Sequence, residues 1–293
     1  MTPRRIVDAH HHLWDLTVRP QPWISGPALA PLARSFLPAD LISATFGLDL
    51  TATVAVQTVC VPGETPELLA LAAGSPLIAG VVGWVDLTAP DVADALAALR
   101  RLPGGARLVG IRHQVQEEAD PRWLLRPDVR QGLLAVARAG LAYDLVVRPH
   151  QLPAAVTAAR ELPGLTFVLD HLGKPPIATG ALLPWATWLR RFAQLPNTVA
   201  KLSGLLTEST PGRRRAEHLR PYGDIALEAF GPHRLLFGSD WPVSTLAAGY
   251  GRTVEVTEQL TASLSPAEQD AVFCYNAVRV YGLRPPAGGT GPL

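Results

Sequence analysis

The run Val7-Asp8-Ala9-His10-His11-His12 sets three histidines at the end of an apolar segment. Along an extended strand, side chains at i and i+2 share a face. His10 and His12 therefore project together, and His11 points the other way. Two imidazoles side by side at a strand end suit a divalent cation of the zinc type. Far along the chain, Leu236-Phe237-Gly238-Ser239-Asp240-Trp241-Pro242 ends another apolar run on an acid. An aspartate there often does no more than cap a helix, but an anion brought beside His10 and His12 would complete a ligand set or serve as a base. His113, His150 and His171 also sit at or just after the ends of apolar runs, whereas His218 and His233 fall in loops and are read as structural or solvated.

The elements that must position these groups alternate. Strand candidates cover 4–9, 52–58, 78–86, 107–113, 142–148, 165–170, 197–203 and 234–239, and helical patterns such as 65–73, 90–101, 127–139 and 153–161 fall between them. Near-continuous apolar strands without polar alternation fit a parallel sheet covered on both faces. Eight β/α units point to a closed (β/α)8 TIM barrel. A doubly wound open sheet is the alternative, but no glycine-rich phosphate loop follows the first strand. In a closed barrel the eighth strand lies beside the first, which brings Asp240 to His10 and His12. The loops 13–40 and 204–222 exceed what a βα connection needs and belong at the C-terminal face, where barrel enzymes bind substrates. Ser265-Pro266-Ala267-Glu268 has the form of a capping box opening a helix to about Gly282. The domain reading is one barrel over residues 1–283 and a flexible tail over 284–293.

The chain has 293 residues, 48% of them hydrophobic, and a net charge of +1, which gives no basic surface for nucleic acid. No uninterrupted apolar run reaches about 18 residues, so no membrane span is expected. Cys60 and Cys274 fit no metal or disulfide spacing and read as free thiols of a cytoplasmic protein. Arginine greatly outnumbers lysine: Lys174 and Lys201 are the only two lysines. Both fall close behind strand ends.

The segments DAHHHLW, GIRHQV, LVVRPHQLP, FVLDHLGKPP, AKLSGL and LLFGSDWPV, taken in order, resemble the amidohydrolase superfamily, and within it the amidohydrolase-2 type sugar-lactonase group of fuconolactonase-like and rhamnonolactonase-like enzymes. The resemblance runs from Ile6 to about Tyr281. It implies a TIM-barrel hydrolase with His10 and His12 as first-strand ligands, His150 as the fifth-strand ligand, His171 as the sixth-strand histidine, and Asp240 as ligand and general base. The chain departs from binuclear members at the fourth strand, where His113 stands in place of a bridging lysine or glutamate. One divalent ion, of the zinc type, is therefore the expected cofactor, with metal-free activation of water by Asp240 as the alternative.

Opening a lactone requires an activated water, stabilisation of an oxyanion and a proton for the departing alkoxide. Asp240 is placed to take the proton of the water and pass it on, and His171 to hold the water or the oxyanion. Trp14, Gln57, Arg112, His113, Lys174 and Lys201 are the substrate-binding candidates. The expected partner is a small lactone, with no nucleic acid and no membrane; a homo-oligomer is left open. The rival readings are a metal-dependent decarboxylase of the same superfamily and a catalytically silent barrel kept for binding.

Overall fold

A computed structural model describes residues 4–284. The tail expected over 284–293 therefore lies, apart from Arg284, outside the described residues. Eight strands follow one another around a single parallel sheet: β1 (Arg5–His11), β2 (Asp49–Val56), β3 (Ile78–Gly83), β4 (Leu108–His113), β5 (Ala142–Leu145), β6 (Phe167–Leu169), β7 (Thr198–Leu202) and β8 (Leu235–Phe237). The main helices between and after them are α1 (Pro38–Ala44), α2 (Glu64–Gly74), α3 (Val92–Arg101), α4 (Pro127–Arg138), α5 (Leu152–Glu161), α6 (Trp185–Ala193), α7 (Ala216–Phe230) and α8 (Tyr250–Leu260). This is a (β/α)8 TIM barrel.

Closure is made by the backbone at the mouth. The amide of His12 donates to the carbonyl of Trp241 at 2.7 Å, and that of Asp240 to the carbonyl of His10 at 2.8 Å. The eighth strand end is thereby fastened to the first, as the placement of Asp240 required.

Each strand feeds two cores. Outward residues such as Ala55, Val81, Ile111, Tyr143, Phe167 and Leu235 pack in one cluster with the helices, and inward residues Val54, Val56, Val82, Val168, Val199 and Leu236 form a second. Parallel strands buried on both faces have no reason to alternate in polarity, which is why their sequences read as plain apolar runs.

The capping box at Ser265 opens α9 (Pro266–Asp270), with the Ser265 amide donating to the Glu268 carboxylate at 2.8 Å. A π-helical turn over Ala271–Tyr275 leads into α10 (Asn276–Tyr281). Cys274, Ala277 and Tyr281 from this segment, with Leu283, pack against the inner cluster and plug the end of the barrel opposite the mouth. Both cysteines are free thiols. Among the described residues, no helix is long and apolar enough to cross a membrane.

Candidate active site

The register of β1 shifts between Asp8 and His11. Val7 and Ala9 join the inner cluster, while the carboxylate of Asp8 accepts from the hydroxyl of Tyr250 on α8 at 2.9 Å. The same carboxylate accepts from the amides of His10 (3.0 Å) and Ser239 (2.9 Å) and from the Ser239 hydroxyl (2.6 Å). Asp8 thus pins β1 to the residue before Asp240. Beyond the shift, His10 and His12 turn into the barrel, and His11 turns out to the Thr53 hydroxyl at 2.9 Å.

His12 Nδ1 lies 2.8 Å from the carbonyl oxygen of Val56, which can only accept, so Nδ1 carries the ring proton and Nε2 presents a lone pair. His12 Nε2 is 3.2 Å from His10 Nε2 and 3.4 Å from Asp240 Oδ1, and His10 Nε2 is 3.8 Å from the same oxygen. Ligand atoms of a tetrahedral zinc at about 2.0–2.1 Å stand about 3.3 Å apart. The donor set has the spacing and chemistry of a divalent-cation site: two imidazoles and one carboxylate, all buried. A second triad, His10, Asp170 and His171, shares one histidine with the first.

Burial works against the charge on Asp240, but the facing His171 and the neighbouring His12 and His10 outweigh it and hold the carboxyl well below the ordinary range. The carboxyl of Asp240 therefore favours the anion. Burial also pushes the His10 and His171 imidazoles down, so both favour the neutral form, against the pull of Asp170 on the first and of Asp240 on the second. His171 Nδ1 is 2.9 Å from the Ser203 hydroxyl, and its Nε2 is 3.9 Å from Asp240 Oδ1. His171 and Asp240 both adopt left-handed backbone, with φ of 53° and 57°. Such conformations in residues other than glycine are costly and tend to occur where a side chain must be aimed.

Below these groups lies a sealed polar layer. Lys201 Nζ is 2.5 Å from Asp144 Oδ2 and 3.0 Å from Asp170 Oδ1, and all three side chains have no exposure. Arg112 Nη1 donates to Asp170 Oδ2 at 2.8 Å. Two carboxylates and two cations balance, as burial requires. Burial pushes Asp144 up to about 6 despite the opposing Lys201, while Lys201, His10 and Arg112 overcome the burial of Asp170 and hold it well below the carboxylate range.

Residues 7–283 match the amidohydrolase family model. The chain belongs to the amidohydrolase family. It is 40% identical to an L-fucono-1,5-lactonase of Burkholderia multivorans and 36% identical to one of Burkholderia ambifaria, in each case over 96% of this chain and 97% of the relative. A crystal structure of an amidohydrolase from Burkholderia multivorans with bound Zn is 39% identical, superimposes with a TM-score of 0.89, and is matched over 96% of this chain and 100% of that one.

Within this amidohydrolase, His10, His12, His171 and Asp240 gather at one point. His150 does not join them. It is exposed in the short turn Pro149–Gln151, beside Pro121, Arg122 and Leu125 on the outside. β5 ends at Leu145, not at 148, and the apolar pair Val146-Val147 only prolongs the run in sequence; the inward residue at this strand end is Asp144.

The substrate-binding candidates are also redistributed. Lys201 is sealed inside the barrel, and Arg112 spends its guanidinium on Asp170 and on the Gln57 carbonyl and side chain. Gln57 is itself fully buried, its amide oxygen taken by Arg112 and Gln114. Lys174 pairs with Glu208 at 3.1 Å. His113 stacks on Trp123 at 4.2 Å, receives the Trp84 indole N–H at 3.0 Å, and meets Glu118 at 2.7 Å, so both its ring nitrogens are occupied. Trp14 gives its indole N–H to the Arg34 carbonyl and packs on Phe36, which in turn supports Trp241. Sequence reasoning missed Asp8, Asp144, Asp170 and Ser203. The signal for Asp144 was present: an acid inside Ala142-Tyr143-Asp144-Leu145-Val146 must find a buried partner.

Proposed function

We propose that this amidohydrolase opens a sugar δ-lactone of the L-fucono-1,5-lactone kind, with water as nucleophile and Asp240 as base. The observation that carries the reading is the Asp240 carboxyl held against three imidazole nitrogens, in a chain that aligns with lactonases along almost its whole length. His12, His171 and Asp240 keep 4–6% of their surface exposed while His10, Asp170 and Lys201 keep none, so water and substrate meet the former group.

His10 Nε2, His12 Nε2 and an oxygen of Asp240 would hold one divalent cation, zinc being the best match to two imidazoles and a carboxylate. When bound, such an ion lowers the pKa of water towards 7 and polarises a carbonyl. Asp240 takes the proton from the attacking water and returns it to the ring oxygen as the ester bond breaks. With the Ser203 hydroxyl donating to Nδ1, His171 keeps its proton on Nε2 and donates it towards the lactone carbonyl oxygen as negative charge builds there. The sealed Arg112 and Lys201 act on Asp170 and do not touch substrate.

The test is a pH-indicator assay on L-fucono-1,5-lactone and a panel of other aldonolactones, corrected for spontaneous hydrolysis, beside an assay of CO2 release from aromatic carboxylates. Lactone opening at kcat/KM of at least about 10⁴ M⁻¹s⁻¹ is expected. CO2 release without lactone opening would transfer the chain to the decarboxylases.

A further inference from the structure

The sealed layer continues past Asp144 to the far end of the barrel. The hydroxyl of Tyr281, on α10, donates to the Asp144 carboxylate, at 2.8 Å from Oδ2 and 3.0 Å from Oδ1. Among the described side chains, Tyr281 and Lys201 are the two that donate to Asp144. Lys201 Nζ in turn stands 3.1 Å from His10 Nδ1 and 3.0 Å from Asp170 Oδ1, and that oxygen is 3.2 Å from His10 Nδ1. A continuous set of contacts therefore links α10 to the ring whose Nε2 faces His12 and Asp240. Every charged group in it is fully buried, so no solvent can replace a lost partner.

We infer that Tyr281 is a positioning residue of the active site, acting through Asp144 and Lys201 on Asp170 and His10. The ammonium of Lys201 has three protons to share between two carboxylates, Asp144 and Asp170. Asp170 Oδ1 also accepts the Nδ1–H of His10, which leaves the lone pair of Nε2 facing the site. The Tyr281 hydroxyl meets part of the demand of Asp144, which leaves Lys201 free to keep contact with Asp170 and so to fix the acceptor of the His10 Nδ1–H. Without that hydroxyl, Asp144 is short of a donor and draws the ammonium towards itself, Asp170 Oδ1 loses its cation, and the acceptor of the His10 Nδ1–H shifts. The aromatic ring plays a separate part: it lies 5.5 Å from Lys201 Nζ and packs in the inner cluster. Tyr281→Phe keeps the ring and removes only the hydrogen bond.

This inference rests on the site assigned above but is tested apart from its activity. The protein is labelled with 15N at histidine, and the His10 ring signals are assigned by loss in a His10→Gln variant. In cation-free protein, Tyr281→Phe is expected to shift both His10 ring nitrogens while the His113 and His150 signals stay put. Zinc affinity, measured by competition with a chromophoric chelator, is expected to fall by about tenfold, within the range for outer partners of a ligand histidine. Val278→Ala, in the same helix and on the same plug, is the control: it lowers the melting temperature and leaves the His10 signals and zinc affinity unchanged. Unmoved His10 signals in folded Tyr281→Phe, or equal movement in Val278→Ala, would overturn the inference. If the wild type binds no zinc, the cation reading fails, while the ring signals still decide whether Tyr281 reaches His10. Should Tyr281→Phe not fold, 3-fluorotyrosine in place of Tyr281 strengthens the donor, and the same His10 signals must move.

Discussion

At the level of single residues, the site divides into groups that reach solvent and groups that cannot. Asp240 is the anion at the boundary, and its loss of charge is the most informative change. Asp240→Asn keeps the shape and the backbone ties to His10 and His12, and is expected to lower kcat by about 10²–10⁴-fold, the span of a lost general base. Steady-state hydrolysis with circular dichroism as the fold control measures it; a folded variant near wild-type rate removes Asp240 from the mechanism. Lys201 belongs to the other group. Lys201→Met leaves Asp144 and Asp170 buried with one cation fewer, a kind of loss that costs about 3–5 kcal/mol. Urea unfolding checks this, and a cost below about 1 kcal/mol means the two carboxylates do not depend on the ammonium. Lys201→Arg is no substitute, because a planar fork cannot occupy the space of a compact ammonium held by Asp144 and Asp170 beside His10.

At the level of elements, the chemistry depends on how closely strand ends approach. A Cβ at Gly238, just after β8, would stand 2.7 Å from His10 Cβ and 3.1 Å from Ser203 Cβ. Neither neighbour retreats easily, because His10 belongs to β1 and Ser203 directly follows the end of β7. Gly238→Ala is therefore expected to displace His10, lower zinc affinity at least about tenfold, and cost about 1–3 kcal/mol as overpacking. Calorimetric titration with zinc and thermal unfolding read the two effects; retention of both would show that β8 yields. The same geometry explains what the sequence disclosed. Eight apolar runs and the capping box at Ser265 were legible because they follow from strand periodicity and local hydrogen bonding. His10, His12 and Asp240 were legible because a two-residue period and barrel closure fix their meeting. The register shift in β1 was not, since nothing in Asp8-Ala9-His10 marks where pairing slips. His150 was misplaced for a related reason: Val146 and Val147 prolong the apolar run after the hydrogen-bonded strand has ended, and only pairing decides the end. Asp170 was hidden beside His171, and its partners Arg112 and Lys201 come from strands distant in sequence.

At the level of the whole molecule, the buried histidines couple folding to pH. His11 turns away from the site, its Nε2 is bonded to Thr53, and its Nδ1 has no partner among the described residues. Burial, with a smaller contribution from the neighbouring His12, lowers its pKa to about 3. An unfolded histidine titrates near 6.5. Above about pH 6.5 neither state binds the proton, and the native protein keeps its full stability. Between 6.5 and 3 the unfolded chain takes up a proton at His11 that the folded protein refuses, so stability falls as pH falls, by up to about 1.4 kcal/mol per pH unit from this residue. Buried His10 and His171 act with the same sign, so the wild-type slope alone does not isolate His11. The variant His11→Phe removes one titrating group and keeps a buried ring. Urea unfolding of both proteins at intervals from pH 7 to 4.5 is expected to give a wild-type stability that declines more steeply than that of the variant. The difference in slope approaches about 1.4 kcal/mol per unit once pH is well below 6.5. Parallel slopes would mean that His11 takes up its proton in the folded protein, and that the space around its Nδ1 admits a charge the packing in the structure forbids.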